Sequence, residues 1–136
     1  MSLTLALFLP ALVMSLAGVI GIGTLRATAE RARAAADLAV LVAVNDQDDA
    51  ELARTGTLVL ARDATTVARV MFAANLAPIA AFLASDPGSI AAGADVTAAG
   101  GTVSIAARVP VRAPLLGAPI APATVPVAVR ASASAR

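Results

Sequence analysis

Residues 3–25 read LTLALFLPALVMSLAGVIGIGTL, a stretch of 23 residues without a charged side chain. At about 1.5 Å per residue, an α-helix of this length reaches roughly 34 Å, which is enough to cross a hydrocarbon core of about 30 Å. Twelve of these residues are Leu, Ile, Val or Phe, and such side chains favour membrane insertion. The stretch therefore predicts a single transmembrane helix. The alternative, a cleaved secretory signal, would have a basic start and a shorter apolar run.

Small residues inside this stretch would let a second helix approach closely. Ala17 and Gly21 stand four residues apart, as in a small-xxx-small pair, and Gly18 lies beside them. Glycine is also frequent in membrane helices without any such role, so both interpretations stay open. Pro10 removes one backbone hydrogen bond, and we expect it to bend or loosen the helix in its first third.

The charges around the stretch leave its orientation open. No basic residue precedes it, whereas Arg26, Arg31 and Arg33 follow it closely. Taken alone, the positive-inside rule then predicts that the rest of the chain lies in the cytoplasm. A short basic leader removed from a precursor, with Met1 as the mature N-terminus, would reverse that prediction.

Composition argues against an enzyme. The 136 residues are 59% hydrophobic and only 14% charged, and His, Cys, Trp, Tyr and Lys are all absent. Without an imidazole, a thiol or an amine, the chain lacks the usual bases, nucleophiles and metal ligands. The net charge is +1 and the arginines are dispersed, which does not favour nucleic-acid binding. We therefore predict no catalytic residue, no cofactor, no bound metal and no nucleic-acid partner.

The helical pattern continues beyond the stretch to about Val44 and forms a stalk. Oppositely charged residues stand at four-residue spacing on it, Arg26 with Glu30 and Arg33 with Asp37. Residues 38–44 are all apolar, so this part of the helix needs cover from more than one direction. We expect the head of the same chain to cover one side and neighbouring subunits to cover the other. The large residues expected at such a subunit contact are Leu38, Leu41 and Val42.

A cluster of acidic residues follows the stalk, namely Asp46, Asp48, Asp49 and Glu51. A calcium loop of the EF-hand type would need a ligand and a distal Glu where this chain has Ala50 and Thr57. Asp48-x-x-Glu51 is instead typical of a capping box at the start of a helix. The pattern predicts a second helix from about Ala50 to Asn75, with residues 55–57 as a place where it could be interrupted.

The last third of the chain changes to the two-residue alternation of strands. If Gly100 and Gly101 form a hairpin turn, Ala99 pairs with Thr102 and Val96 pairs with Ile105. Pro126 indicates that the third strand is an edge strand. Pro110, Pro114, Pro119 and Pro122 predict a connecting loop before that strand, and residues 131–136 are expected to fray.

These elements predict an α+β fold. A long N-terminal transmembrane helix (residues 1–25) continues into a stalk, a second helix and a small three-stranded antiparallel sheet at the C-terminus (residues 26–136).

This organisation resembles the TadE/TadG-like pilins of the tight-adherence (Tad, Flp) pilus apparatus. The apolar helix with Pro10 is similar to the family's Leu-Pro anchor, and residues 34–39, AAADLA, are similar to its Ala-Ala-Asp-x-Ala-Leu stalk motif. Residues 109–117, VPVRAPLLG, followed by a Val-rich strand, resemble the family's ending. Many members carry Glu six residues before the anchor proline, whereas this chain has Thr4 there. The resemblance also implies a leader removed by a prepilin peptidase.

The resemblance implies a pilin-like fold and a structural subunit of a cell-surface pilus or of its assembly apparatus, which would take part in adhesion. Its implied partners are membrane lipid, copies of itself or other pilins through the N-terminal helix, and the pilus assembly machinery. Its implied location is the cell envelope, as a single-pass protein of the inner or plasma membrane with its head outside the cytoplasm, or as part of an extracellular filament. The alternative is a membrane-anchored accessory or scaffold protein of a secretion or pilus system that does not polymerise.

For Asp37, the resemblance suggests a contact within the stalk or between subunits, whereas its spacing suggests only a pair with Arg33. The residues expected at anchor and assembly contacts are Thr4, Pro10, Ala17, Gly18, Gly21, Asp37, Leu38, Leu41 and Val42.

Overall fold

A computed structural model describes residues 3–57, 59–118 and 121–135 of the chain, with side chains described for residues 8–57, 59–113 and 123–135. The elements in chain order are α1 (Leu3–Asn45), α2 (Asp49–Thr55), α3 (Ala64–Leu76), a 3-10 helix (Ala77–Phe82), α4 (Pro87–Ala92), β1 (Asp95–Ala99), β2 (Thr102–Ala118) and β3 (Ala121–Ser134). The three strands form one antiparallel sheet in the order β1-β2-β3. The predicted α+β fold, with its long apolar helix and C-terminal three-stranded sheet, is confirmed.

Helix α1 joins the predicted anchor and stalk without a break, and Pro10 lies inside it. By length and composition, Phe8–Asn45 could cross a membrane, and so could the segment Ala64–Phe82. The second segment contains Phe72 and Leu76, which are fully buried among other side chains of the fold. Ala64–Phe82 therefore belongs to the core of the head, whereas the membrane anchor remains a prediction for the N-terminal part of α1.

The ion pairs on α1 differ from the predicted ones. The Arg33 guanidinium donates to the Glu30 carboxylate at 2.5 Å, so neither the pair of Arg33 with Asp37 nor that of Arg26 with Glu30 forms. Residues three apart are also neighbours on a helix surface, and the long Arg33 side chain reaches back toward the preceding turn. Both groups are more than half exposed, so this pair contributes little to stability.

The predicted second helix is two helices, α2 and α3. Gly56 ends α2 with a φ of 68°, and its N–H donates to the Leu52 carbonyl at 2.8 Å. Only glycine adopts this left-handed conformation without a steric cost, so a helix continuing through Gly56 was the wrong prediction. The predicted cap is confirmed, because an Asp48 carboxylate oxygen accepts the Glu51 N–H at 3.0 Å. The Glu51 side chain does not complete the box and pairs with Arg54 instead.

After α2 the chain returns to α1 and packs along it. The Ala61 N–H donates to the Asp46 carbonyl at 3.1 Å, just before α3 begins. Near the other end of α3, the Asn75 side-chain amide donates to the Ala35 carbonyl at 3.3 Å. Helix α3 therefore runs antiparallel to α1, from the level of Asp46 to the level of Ala35.

The hairpin between β1 and β2 has the predicted register. Gly100 and Gly101 have φ values of 58° and 75°, as a two-residue type I′ turn requires. Ala99 pairs with Thr102 and Val96 pairs with Ile105. Val96, Val103 and Ile105 are buried as a result.

The proline-rich segment is not the loop that we predicted. Strands β2 and β3 stay paired through Pro110 opposite Pro126 and Ala113 opposite Ala123, and an irregularity precedes the last pair, Ala118 and Ala121. Pro114 and Pro122 lie within the strands, and Pro119 lies outside the described residues. Edge positions tolerate proline when the missing N–H would point away from the ladder.

Residues 131–134 belong to β3, contrary to the predicted fraying, and Arg136 lies outside the described residues. Strand β3 pairs with β2 as far as Ser134 opposite Thr102, and the Ala135 N–H donates to the Gly101 carbonyl at 2.8 Å. Ala131 is buried and Ala133 is partly buried, whereas Ser132 and Ser134 between and after them are exposed. The alternation of Ala and Ser is thus a strand pattern with very small side chains.

One core joins α1, α3 and the inner face of the sheet. Its helical part is rich in alanine, which lets the elements approach closely, and its largest fully buried side chain is Phe72. The α1 residues in this core are Ala32, Ala35, Ala36, Ala39, Val40, Ala43 and Val44. The stalk is therefore the centre of the head and not a stem below it.

Candidate assembly surface

The stalk part of α1 carries a row of exposed apolar side chains, Leu38, Leu41 and Val42, which we call the stalk stripe. Their exposed fractions are 54%, 50% and 42%, whereas Ala39 and Val40 beside them are almost completely buried. Spacings of three and four residues bring the three side chains to one face of the helix. The chain's own head covers the opposite face, so the predicted division into a covered side and an open side is present in the structure.

Asp37 borders the stalk stripe. It is exposed, and it stands four residues before Leu41, so both lie on the same side of the helix. Among the side chains that the structure describes, Asp37 takes part in no ion pair or hydrogen bond. The interpretation of Asp37 as a partner of Arg33 therefore finds no support, and its carboxylate is available to a group outside the chain.

The predicted contact residues of the anchor are in different environments. Pro10 is exposed, Ala17 and Gly18 are partly exposed, and Gly21 is buried. Thr4 belongs to α1, and its side chain lies outside the described ones. Since the fold itself covers Gly21, Ala17 and Gly18 are the small residues of this face that a second helix could still approach.

Along α1, a group of charged residues separates the predicted anchor from the stalk stripe. The anchor's exposed large apolar residues are Phe8, Leu9, Leu12, Val13, Met14, Leu16, Val19, Ile20 and Ile22. Arg26, Glu30, Arg31 and Arg33 follow and are exposed too. Charged side chains of this kind stay outside the hydrocarbon region. With the uncharged stretch in a membrane, as predicted, the stalk stripe would lie beyond the level that lipid tails reach.

The acidic cluster shows no arrangement suited to a metal. Asp48 caps α2, and the Glu51 carboxylate pairs with Arg54. Within the described ranges, no group of three or more His, Cys, Asp or Glu side chains is placed to hold a metal ion. Asp48 of this cluster has a structural role as the cap at the start of α2.

Our sequence reasoning missed a set of basic residues on the outer face of the sheet. Arg108 and Arg112 of β2 and Arg130 of β3 are all exposed. Arg108 lies opposite Ala128, and Arg130 lies opposite Ala106, so the two arginines are diagonal neighbours on adjacent strands. Of the three, only Arg112 falls in the segment that was predicted to be a loop, and the available signal was the even spacing of Arg108 and Arg112 along one strand.

These features define a class of protein, an α+β protein in which one continuous helix is both the apolar anchor and the centre of the head. Residues 1–46 match the model of the Tad family, described as putative Flp pilus-assembly TadE/G-like. The match covers about a third of the chain, includes the Leu-Pro anchor and the stalk motif, and supports the family suspected from those residues. No curated protein and no solved structure matches the chain.

The family match supports a pilus-related role and a structural, non-enzymatic protein. Together with the apolar N-terminal helix, it is consistent with a protein anchored in a membrane of the cell envelope and associated with pilus machinery.

Proposed function

We propose that the chain is a pilin-like structural subunit of a Tad (Flp) pilus or of its assembly apparatus, which associates with other subunits through α1. The observation that carries this proposal is the stalk stripe. Leu38, Leu41 and Val42 lie half-exposed in the part of the chain that matches the pilus-assembly family. Contiguous exposed apolar side chains on a helix are typical of a protein contact.

The apolar surface of the stalk stripe is large enough for a weak contact between subunits, which would add to a second contact between the same subunits. Complete burial of one such side chain contributes about 1.5 to 3 kcal/mol, and these three are already half buried. The remaining gain is on the order of a few kcal/mol in total. A stalk contact of this strength would add to packing between anchor helices, where Ala17 and Gly18 are partly open.

In the proposed arrangement the anchor crosses the membrane once and the head lies outside the cytoplasm. Ser132 is exposed on the outer face of the sheet, and the chain contains no cysteine. A Ser132→Cys variant in intact cells should therefore react with a membrane-impermeant thiol reagent. Labelling that appears only after the cells are lysed would place the head in the cytoplasm and contradict this topology.

A charge placed in the stalk stripe tests the assembly proposal. In a packed contact, Leu41→Glu buries an unpaired carboxylate, which costs several kcal/mol, and we expect it to abolish filament formation and crosslinking between subunits. The matched control is Val70→Glu, because Val70 is 56% exposed on α3 and lies outside the stripe. Circular dichroism of both variants should equal that of the parent.

If Leu41→Glu subunits assemble as well as Val70→Glu subunits, the stalk stripe is not a subunit contact. The alternative function, which would be favoured if neither the parent chain nor any variant assembled, is a membrane-anchored accessory or scaffold protein that does not polymerise. Thr4 favours this alternative, because many members of the resembled family carry Glu at that position. Electron microscopy of the purified parent chain separates the two functions, since only a pilin-like subunit forms filaments.

A further inference from the structure

The exposed side of the stalk, which we call the open face, has a charged residue at each edge. At about 100° per residue, its exposed side chains follow one another around α1 in the order Asp37, Leu41, Ala34, Leu38 and Arg31. Asp37 and Arg31 are six residues apart, so their side chains lie about 120° apart on the helix surface. The three apolar side chains lie between an acidic edge at Asp37 and a basic edge at Arg31.

Neither edge charge has an ionic partner among the side chains that the structure describes. The guanidinium of Arg33, four residues before Asp37, pairs with Glu30 instead. The positions three and four residues before and after Arg31 carry only Ala or Thr, so no acidic residue is its neighbour on the helix surface. Two opposite charges thus border the same apolar surface, and each of them is left to a group outside the chain.

A contact between Asp37 of one copy and Arg31 of a second copy requires a shift along the helix axis. If two copies packed at the same level, Asp37 would lie beside the apolar Leu38 of the second copy. A shift of six residues, which is about 9 Å, brings Asp37 level with Arg31 of the second copy. The same shift places Leu41 between the levels of Ala34 and Leu38, where one small and one large apolar side chain can receive it.

The two edges make such a contact open-ended. A copy that uses Asp37 toward a neighbour on one side still has Arg31 for a neighbour on the other side. Contacts between two different surfaces of the same chain lead to an open helical assembly when the rotation between copies does not close a ring. A two-fold dimer about an axis along α1 would keep both copies at one level, with Asp37 and Arg31 separated by about 9 Å along that axis.

We propose that a second copy of this chain covers the open face, displaced by about 9 Å along α1, and that Asp37 contacts Arg31 of that copy. The inference rests on the proposed function, for which it specifies the partner and the register. Exposed ion pairs contribute little to stability, so the apolar side chains between the edges supply most of the attraction. The charges determine which register and which order of copies is favoured, as complementary charges do at other interfaces.

An exchange of charges between copies tests this contact. In the Asp37→Arg variant, the contact brings two guanidinium groups together, and in the Arg31→Asp variant it brings two carboxylates together. A mixture of the two variants can alternate along an assembly, and every contact then again joins opposite charges. Mixing cannot restore an interaction that takes place inside one chain.

Assembly of the full chain would be measured by sedimentation and electron microscopy after removal of detergent. Because like charges in a contact are unfavourable, we expect each variant alone to assemble at least tenfold less than the parent. The equimolar mixture, and separately the double variant, should recover at least half of the parent's assembly. Arg69→Asp is the matched control, since Arg69 is exposed on α3 outside the open face, and it should assemble like the parent. Asp37→Lys and Arg31→Glu repeat the test if a first variant misfolds by circular dichroism.

Recovery by the double variant but not by the mixture would mean that the two charges interact within one chain, which overturns the proposal. Recovery when Arg26→Asp replaces Arg31→Asp in the mixture would indicate a different register and also overturn it. If the parent forms filaments and both single variants form them equally well, the register fails while the proposed function stands. If the parent does not assemble, or stops at dimers, both fail together.

Discussion

Pro110 of β2 lies directly opposite Pro126 of β3 in the middle of the longest ladder of the fold. The Pro110 carbonyl accepts the Ala84 N–H at 2.8 Å, so the polar groups of Pro110 point away from β3. Residue pairs in an antiparallel ladder alternate between hydrogen-bonded and non-hydrogen-bonded. The two prolines therefore occupy a non-hydrogen-bonded pair, in which neither strand needs their N–H.

This relationship predicts opposite outcomes at adjacent positions. Val109 and Val127 form the next pair, which is hydrogen-bonded, so Val109→Pro removes a ladder bond and should destabilise the sheet by about 3 kcal/mol or more. Pro110→Ala removes no such bond and should change the free energy of unfolding by less than about 1 kcal/mol. Denaturant unfolding of the full chain in detergent measures both. A tolerated Val109→Pro would show that the ladder pairs differently.

The turn between β1 and β2 depends on the backbone conformation of Gly100. Its φ is 58°, and a Cβ at this position would meet no atom within 4 Å. The cost of a substitution therefore comes from the left-handed backbone alone, about 1 to 2 kcal/mol for an ordinary L-residue. We expect Gly100→Val to lower the midpoint of thermal unfolding and Gly100→Asn to leave it nearly unchanged, since Asn tolerates this conformation. Equal midpoints for the two variants would refute the assigned turn.

The core depends heavily on Phe72, because it is the largest fully buried side chain. Replacing it by Ala should cost about 3 to 5 kcal/mol, from lost apolar burial and from the cavity that remains. Phe82→Ala is the matched control, since Phe82 is 41% exposed. Hydrogen-exchange mass spectrometry should show lost protection across α3 and the sheet for Phe72→Ala only. Similar protection in both variants would mean that Phe72 is not central to the packing.

The carboxylate of Asp48 supports the start of α2. Asp48→Ala removes the acceptor of the Glu51 N–H and should cost about 1 kcal/mol. Asp49→Ala keeps that bond and should lose only the smaller interaction with the helix dipole. Amide exchange of residues 50–55 measures the difference. Thermal stabilisation of the parent chain by calcium would show instead that these carboxylates bind a metal.

The parts of the fold that sequence reasoning predicted correctly depend on strong local signals. An uncharged run long enough to cross a bilayer predicts the first part of α1. Two consecutive glycines between two segments in which apolar residues alternate with others predict the register of β1 and β2. The Asp48 cap is equally local, because it needs only residues three positions apart. In each case the segment's own chemistry decides the structure.

The parts that were missed depend on partners distant in sequence. Pro110 fits into a strand only because Pro126 is its neighbour and Ala84 uses its carbonyl. The side chains of Ala131 and Ala133 are too small to give the apolar alternation that predicts a strand. Their place in the sheet comes from pairing with β2. The stalk stripe was predicted from an apolar run, but which of its sides stays open is decided by where α3 and the sheet pack on α1.

The continuity of α1 has a mechanical consequence. The helix has no break between Pro10 and Asn45, and its alanine-rich face forms part of the same core as the sheet. A force that pulls on the N-terminal part of α1 is therefore transmitted along the helix to that core. There it acts parallel to the packed faces, so many contacts share the load at the same time. No hinge absorbs the force, so the head resists extraction as one body and yields only when its whole packing yields.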